Sequence, residues 1–72
     1  MQVSNYPTME EALAWLDGQG IPHRKHTDHQ IRIGRRLAWY PVRGTIVDGS
    51  VRLEARGRLA LELIIAGMRD EL

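Results

Sequence analysis

The stretch Gln30-Ile31-Arg32-Ile33-Gly34-Arg35-Arg36-Leu37-Ala38-Trp39-Tyr40-Pro41, continued by Val42-Arg43-Gly44-Thr45-Ile46-Val47-Asp48-Gly49, decides the fold. Gln30 to Ile33 alternates polar and apolar residues with period two. That is the spacing of a strand whose successive side chains point to opposite faces, so Ile31 and Ile33 are expected inward and Arg32 outward. Gly34-Arg35 suits a tight hairpin turn with glycine at its first central position. Leu37-Ala38-Trp39-Tyr40 reads as the return strand, ended by Pro41, which has no N–H to give a ladder. Gly44-Thr45-Ile46-Val47 reads as a third strand. Asp48-Gly49 is the strongest hairpin signal in the chain. A two-residue turn there pairs Val47 with Ser50 and Ile46 with Val51, and gives Ile46, Val51 and Leu53 consistent faces.

Upstream, Ile21-Pro22 re-enters the core as extended chain, and the polar residues 23–29 read as a connection. Residues 1–7 read as an extended arm ending at Pro7. Thr8 and Glu11 fit a capping box, in which each side chain satisfies a free backbone N–H of the other. Met9, Ala12, Leu13 and Leu16 share one helical face. Gly18 and Gly20 suit a helix end, so a first helix is expected over about 8–18.

Downstream, the pattern turns helical from about Arg56 to 69. Leu59, Ala60, Leu63, Ile64 and Gly67 cluster on one side and are expected to cover the sheet. Leu61, Ile65, Met68 and Leu72 form a second apolar stripe, about 120° around the helix from the first. It is left to pack against the first helix or to meet a second copy or a partner. The resulting expectation is one α+β domain over residues 1–72, ordered α-β-β-β(-β)-α, with both helices packed on one face of an antiparallel sheet.

The chain has 72 residues, of which 43% are hydrophobic and 26% charged, the composition of a single small globular domain. It has no cysteine, which excludes a disulfide framework, a cysteine zinc site and a thiol nucleophile. No apolar run approaches the ~20 residues of a membrane span. No basic segment followed by a long apolar one opens the chain, so no signal peptide is expected. Arg69-Asp70-Glu71-Leu72 looks like an endoplasmic-reticulum retention signal, but without a leader it reads as a charged helix end. A cytoplasmic protein with no membrane partner is expected. No phosphate-binding loop, paired-carboxylate site or serine triad is present.

The net charge of +1 hides an asymmetry. Residues 1–18 carry three acids and no base, residues 19–58 carry nine bases against three acids, and residues 59–72 carry three acids and one base. Most of the bases are arginines, whose planar fork suits phosphate or carboxylate. A basic middle between acidic ends can form one cationic face. Arg32, Arg35, Arg36, Arg43 and Arg52 are the candidate contacts to nucleic acid or to an acidic partner. Trp39 and Tyr40 alternate on their strand, so one belongs to the core and the other can stack on a base or plug a protein pocket. Trp15, at the edge of the first helix's apolar face, reads as core.

His23, His26 and His29 are spaced three apart. In a loop entering a strand they do not converge on a metal, and neither a metal nor a cofactor is expected. His29, at the start of the first strand, is the catalytic candidate. A general base there can take a proton from a ribose 2′-hydroxyl while arginines neutralise the phosphate.

Helix, sheet and helix with a histidine opening the first strand resembles the HicA-type toxins, small messenger-RNA-cleaving proteins with a double-stranded-RNA-binding fold. Gly20-Ile21 fits the family's glycine and apolar residue after the first helix. His29 matches its first, catalytic histidine, with Thr27 and Asp28 where Gly and Ser are usual. Pro41-Val42-Arg43 fits its Pro-x-His with Arg for His. Gly57-Arg58-Leu59 and Ala66-Gly67-Met68 fit its last helix. The likeness spans residues 10–68 and implies an RNA-facing surface, with ribonuclease chemistry at His29. More generally the chain resembles short accessory proteins of phages and prophages, some carrying a similar aromatic-Pro-x-x-Gly-Thr-Ile segment. Some of these, the anti-CRISPR inhibitors, bind a host nucleoprotein complex. The two resemblances leave three readings: a non-catalytic module for nucleic acid, RNA favoured; an inhibitor that binds protein; and a ribonuclease using His29.

Overall fold

The computed structural model describes residues 4–72. Five short strands form one antiparallel sheet: β1 (His23–Lys25), β2 (Ile31–Ile33), β3 (Leu37–Trp39), β4 (Ile46–Asp48) and β5 (Val51–Arg52), adjacent in chain order. Helix α1 (Met9–Gln19) precedes them and α2 (Arg58–Gly67) follows, with a short 3-10 turn over Arg69–Glu71. The expected α+β order of helix, strands and helix is the order found. Of the extended arm, residues 1–3 lie outside the described residues, and the arm ends on the buried Pro7.

Helix α1 starts as its sequence dictates. The Thr8 hydroxyl accepts from the Glu11 N–H at 3.2 Å, and the Thr8 N–H donates to Glu11 Oε1 at 3.0 Å. Its end is closed by the Gly20 N–H on the Asp17 carbonyl and the Ile21 N–H on the Leu16 carbonyl, both at 3.1 Å. Ala12, Trp15 and Leu16 then enter a core with Ile31, Ile33, Leu37, Trp39 and Ile46 from the sheet and Leu61 and Ile65 from α2. Each such side chain taken fully from water contributes roughly 1.5–3 kcal/mol. Trp15 and Trp39 meet edge to face, with centroids 5.9 Å apart. Arg58 caps the other side of Trp15 at 5.4 Å.

Four readings of the sequence need correction. His23-Arg24-Lys25 is a strand and not part of a loop: its register against β2 sets Arg24 opposite Arg32. It carries no apolar residue because it is an edge strand with little to bury, and edge charges oppose pairing with other chains. The β2–β3 turn has three residues, Gly34 to Arg36, because Ile33 pairs with Leu37. The β4–β5 turn is Gly49-Ser50, with Asp48 opposite Val51 and the Leu53 N–H on the Ile46 carbonyl at 2.9 Å. Asp48 is a strand residue, paired with Leu37 as well as Val51, and its carboxylate accepts from Arg36 Nε at 2.7 Å. Leu53 packs against the core with Ile46, while Val51 stays at the exposed margin.

The fourth difference concerns which residues of α2 lie deepest. Of the two alternatives for the stripe Leu61, Ile65, Met68 and Leu72, it is packing within the fold that is found. Leu61 and Ile65 are buried in the core, with Met68 and Leu72 packed at its edge. The stripe expected to cover the sheet is split: Ala60 and Ile64 pack against the core, while Leu59 and Leu63 are 56% and 77% exposed. Both stripes are apolar, so periodicity alone leaves the choice open. The start of the helix is held from outside its own segment. Gly57 offers no side chain to cap α2, and Asn5 does so from 54 residues away: its Oδ1 accepts from the Leu59 N–H and its carbonyl from the Arg58 N–H, both at 2.8 Å. Gly57 has φ +96°, and a Cβ there would stand 2.5 Å from Asn5 Nδ2, so only glycine lets the arm come this close.

Replacing Asn5 by Ala is expected to cost about 0.5–2 kcal/mol in urea denaturation. Asn5→Asp, which keeps the acceptor and adds charge at a helix N-terminus, is expected to retain most of the stability. Equal stability of wild type and Asn5→Ala would remove the cap from this account.

Candidate functional site

Because both helices cover one face of the sheet, the other is open. The ladders place its residues directly. Arg24 lies opposite Arg32, Arg32 opposite Ala38, Ala38 opposite Val47, and Val47 opposite Arg52. One row across all five strands therefore reads Arg24, Arg32, Ala38, Val47, Arg52. The three arginines are exposed, and no acid holds an outward position in the row. Side chains directly opposite one another have Cβ atoms about 4.5–5.5 Å apart, and like charges so placed are destabilising. Arg32 and Arg52 are separated by three inter-strand steps, about 14 Å. Between them the row is apolar, with Ala38 buried and Val47 half-buried.

Trp39 is the buried aromatic, so Tyr40 falls on the open face. The ladder continues one step past β3, with the Tyr40 N–H on the Thr45 carbonyl at 2.9 Å. Tyr40 is half-buried. It also lines a cleft of about 590 Å³ together with Met9, Asp28, His29, Pro41, Val42 and Arg43. The cleft unites three of the residues singled out from the sequence, namely His29, Tyr40 and Arg43.

Two local structures position its rim. The β1–β2 connection is organised by Thr27, whose hydroxyl accepts from the backbone N–H groups of His29 at 3.1 Å and Gln30 at 3.0 Å. His26 and Gln30 close the same turn through a backbone bond of 2.9 Å. Opposite it, Pro41 is buried and anchors the β3–β4 connection, while Val42 and Arg43 are exposed. That loop is tied at its base by the Gly44 N–H on the Tyr40 carbonyl at 2.6 Å and by an Arg56 guanidinium N–H on the Arg43 carbonyl at 2.7 Å. Arg43 itself lines the cleft.

The remaining candidates do not join this site. Arg36 is an internal strut, paired with Asp48 at 2.7 Å and Glu71 at 3.7 Å. Arg35 stands exposed beside it, on a separate hollow of about 370 Å³ lined also by Met68, Asp70, Glu71 and Leu72. His23 is taken up by the fold, its Nδ1 lying 2.7 Å from the Ile21 carbonyl and its Nε2 3.2 Å from Asp17. Among the described residues no group of three His, Cys, Asp or Glu side chains is placed to hold a metal ion, and no helix is long and apolar enough to cross a membrane.

Sequence reasoning missed Arg24, Met9 and Asp28 as site residues. Arg24 was hidden because an edge strand without apolar residues has no periodic signal. Met9 was assigned to the core side of α1, and it both packs on the core and walls the cleft. Asp28 lies 3.6 Å from Lys25 and gave no signal beyond a polar loop. Comparison with known proteins found no matching family model, no matching curated protein and no matching solved structure.

The row carries its own thermodynamic signature. Arg24→Glu turns a cross-strand repulsion into an attraction and is expected to raise stability by about 0.2–1 kcal/mol, read as a higher midpoint in urea at low salt. A loss of stability in this variant would mean that Arg24 and Arg32 do not oppose each other as the register implies.

Proposed function

We propose that this chain is a non-catalytic module that binds nucleic acid on the open face of its sheet. One observation carries the reading: the β1–β2 register sets Arg24 against Arg32 on a face that also holds Arg52 and Tyr40 and no balancing acid in the row. A fold gains nothing from two opposed like charges, whereas a polyanion laid over them removes the repulsion and releases its own counterions. The aromatic beside the row adds a surface on which a base can stack. Arg24, Arg32 and Arg52 bind phosphate, Tyr40 contacts a base, and Arg36 serves the fold. RNA is the favoured ligand, on the resemblance to the HicA-type proteins, and the cytoplasm is the compartment that goes with it.

A second reading is favoured by the cleft. His29 shares it with Arg43 and Tyr40, so a histidine that can accept a proton lies near a cation that can hold a phosphate. Under that reading wild-type protein cleaves RNA and His29→Gln does not, with binding retained. Equal cleavage by both would discard it.

The binding reading is tested by fluorescence anisotropy with a labelled RNA at two salt concentrations. The affinity is expected to fall with salt at a slope of about −0.7 to −0.9 per phosphate neutralised, and each of Arg24→Ala, Arg32→Ala and Arg52→Ala is expected to reduce that slope by about one contact. Arg36→Ala is expected to lower stability and leave the slope unchanged. Absence of binding at low salt would reject the reading and turn attention to a host nucleoprotein complex recognised through protein contacts.

A further inference from the structure

We infer that the site takes single strands, with one unstacked base lodged in the cleft between Tyr40, Val42 and Met9 and the adjoining phosphate on Arg43. This rests on the nucleic-acid reading above and names the form of nucleic acid that the surface accepts.

Tyr40 joins the two parts of the site. It is the residue common to the open face and to the cleft, so a strand crossing the arginine row is led to the cleft mouth. The middle of the row is apolar, with the half-buried Val47 beside the buried Ala38 between cations. A duplex presents phosphates outward and keeps its bases stacked inside, so it has nothing to set against an apolar patch or into a cleft. A single strand presents both, phosphates to the arginines and base faces to Tyr40 and Val47.

The cleft has the chemistry of a base site. Its walls include the apolar Met9, Pro41 and Val42 and the aromatic Tyr40. Its polar groups are few and of both kinds: the Asp28 carboxylate accepts, the Arg43 guanidinium donates, and His29 can do either. A volume of about 590 Å³ exceeds what a base alone fills and leaves room for the ribose and a flanking phosphate. Val42 is 67% exposed on this rim. Charge supports the same occupant. Arg43 is exposed and lines the cleft, so a cation is at hand for the flanking phosphate. Pulling a base from a duplex costs unstacking and unpairing, and an unpaired strand avoids that cost.

The test compares a labelled RNA 12-mer with the same 12-mer annealed to its complement, using the full chain and four variants. Tyr40→Ala removes the stacking face, and Tyr40→Phe keeps it. Val42→Glu puts a charge on the cleft rim without touching the core. Leu63→Glu, at an exposed position of α2 on the far layer, makes the same charge change away from the site. Thermal melting checks that each variant is folded.

The single strand is expected to bind at least tenfold more tightly than the duplex. Tyr40→Ala is expected to weaken the single strand by about 5- to 150-fold, the range for loss of one base–aromatic stack. Val42→Glu is expected to weaken it at least tenfold, with Tyr40→Phe and Leu63→Glu close to wild type and weak duplex binding unchanged throughout. Equal affinity for single strand and duplex would overturn the inference and leave the nucleic-acid reading standing. A single-strand preference unaffected by Val42→Glu, or a loss matched by Leu63→Glu, would overturn the cleft assignment. Failure of every ligand to bind at low salt would remove the parent reading, and the inference with it.

Discussion

Burial of Trp39 is the constraint on which the rest of the molecule depends. It is the largest side chain in the core, it sits on the central strand, and it meets Trp15 of α1 edge to face. Strand side chains alternate, so fixing Trp39 inward fixes Ala38 and Tyr40 outward. The ladders then carry that choice to the neighbouring strands, placing Ile31, Ile33, Leu37 and Ile46 inward and Arg24, Arg32, Val47 and Arg52 outward. A slip of one residue would bury arginines and expose the core, so register and site are set by the same contact. The indole N–H of Trp39 has no acceptor among the described residues, a cost of about 1–3 kcal/mol that the large buried ring outweighs.

A second constraint comes from the start of the chain. Asn5 caps the last helix, and the Tyr6 ring lies where a Cβ at Gly44 would stand. Gly44 and Gly57 are joined by a backbone bond of 2.8 Å, so the β3–β4 loop, the start of α2 and the N-terminal arm meet at one point. That point also holds the loop carrying Val42 and Arg43, which form one wall of the cleft. A domain of this length has a stability of roughly 0.05–0.15 kcal/mol per residue. A long-range cap worth about 1 kcal/mol is a meaningful part of such a total.

Against that small total, the open face is costly. Opposed arginines weaken the β1–β2 pairing, and Leu59, Leu63 and Val42 leave apolar surface in water. Places where local rules are broken without a structural gain are where function is expected. The arginine row and the cleft rim are two such places, and Tyr40 connects them. The exposed side of α2, with Leu59 and Leu63 around the Arg58–Glu62 ion pair, is a third, on the opposite layer.

The sequence by itself determined the elements and their order. Thr8 with Glu11 marked the start of α1, the Ile31–Ile33 alternation marked a half-buried strand, and Pro41 ended another, because capping, alternation and a missing N–H act within a few residues. It also determined that Trp39 and Tyr40 must part to opposite faces. Only the tertiary structure decided which of the two is buried, that His23–Lys25 pairs as an edge strand, and that Leu61 and Ile65, rather than Leu59 and Leu63, face the sheet. Those outcomes rest on contacts across long separations, such as Asn5 with Leu59 and Arg24 with Arg32. Local periodicity is blind to them: two apolar stripes on one helix are equivalent until the rest of the core has been placed against it.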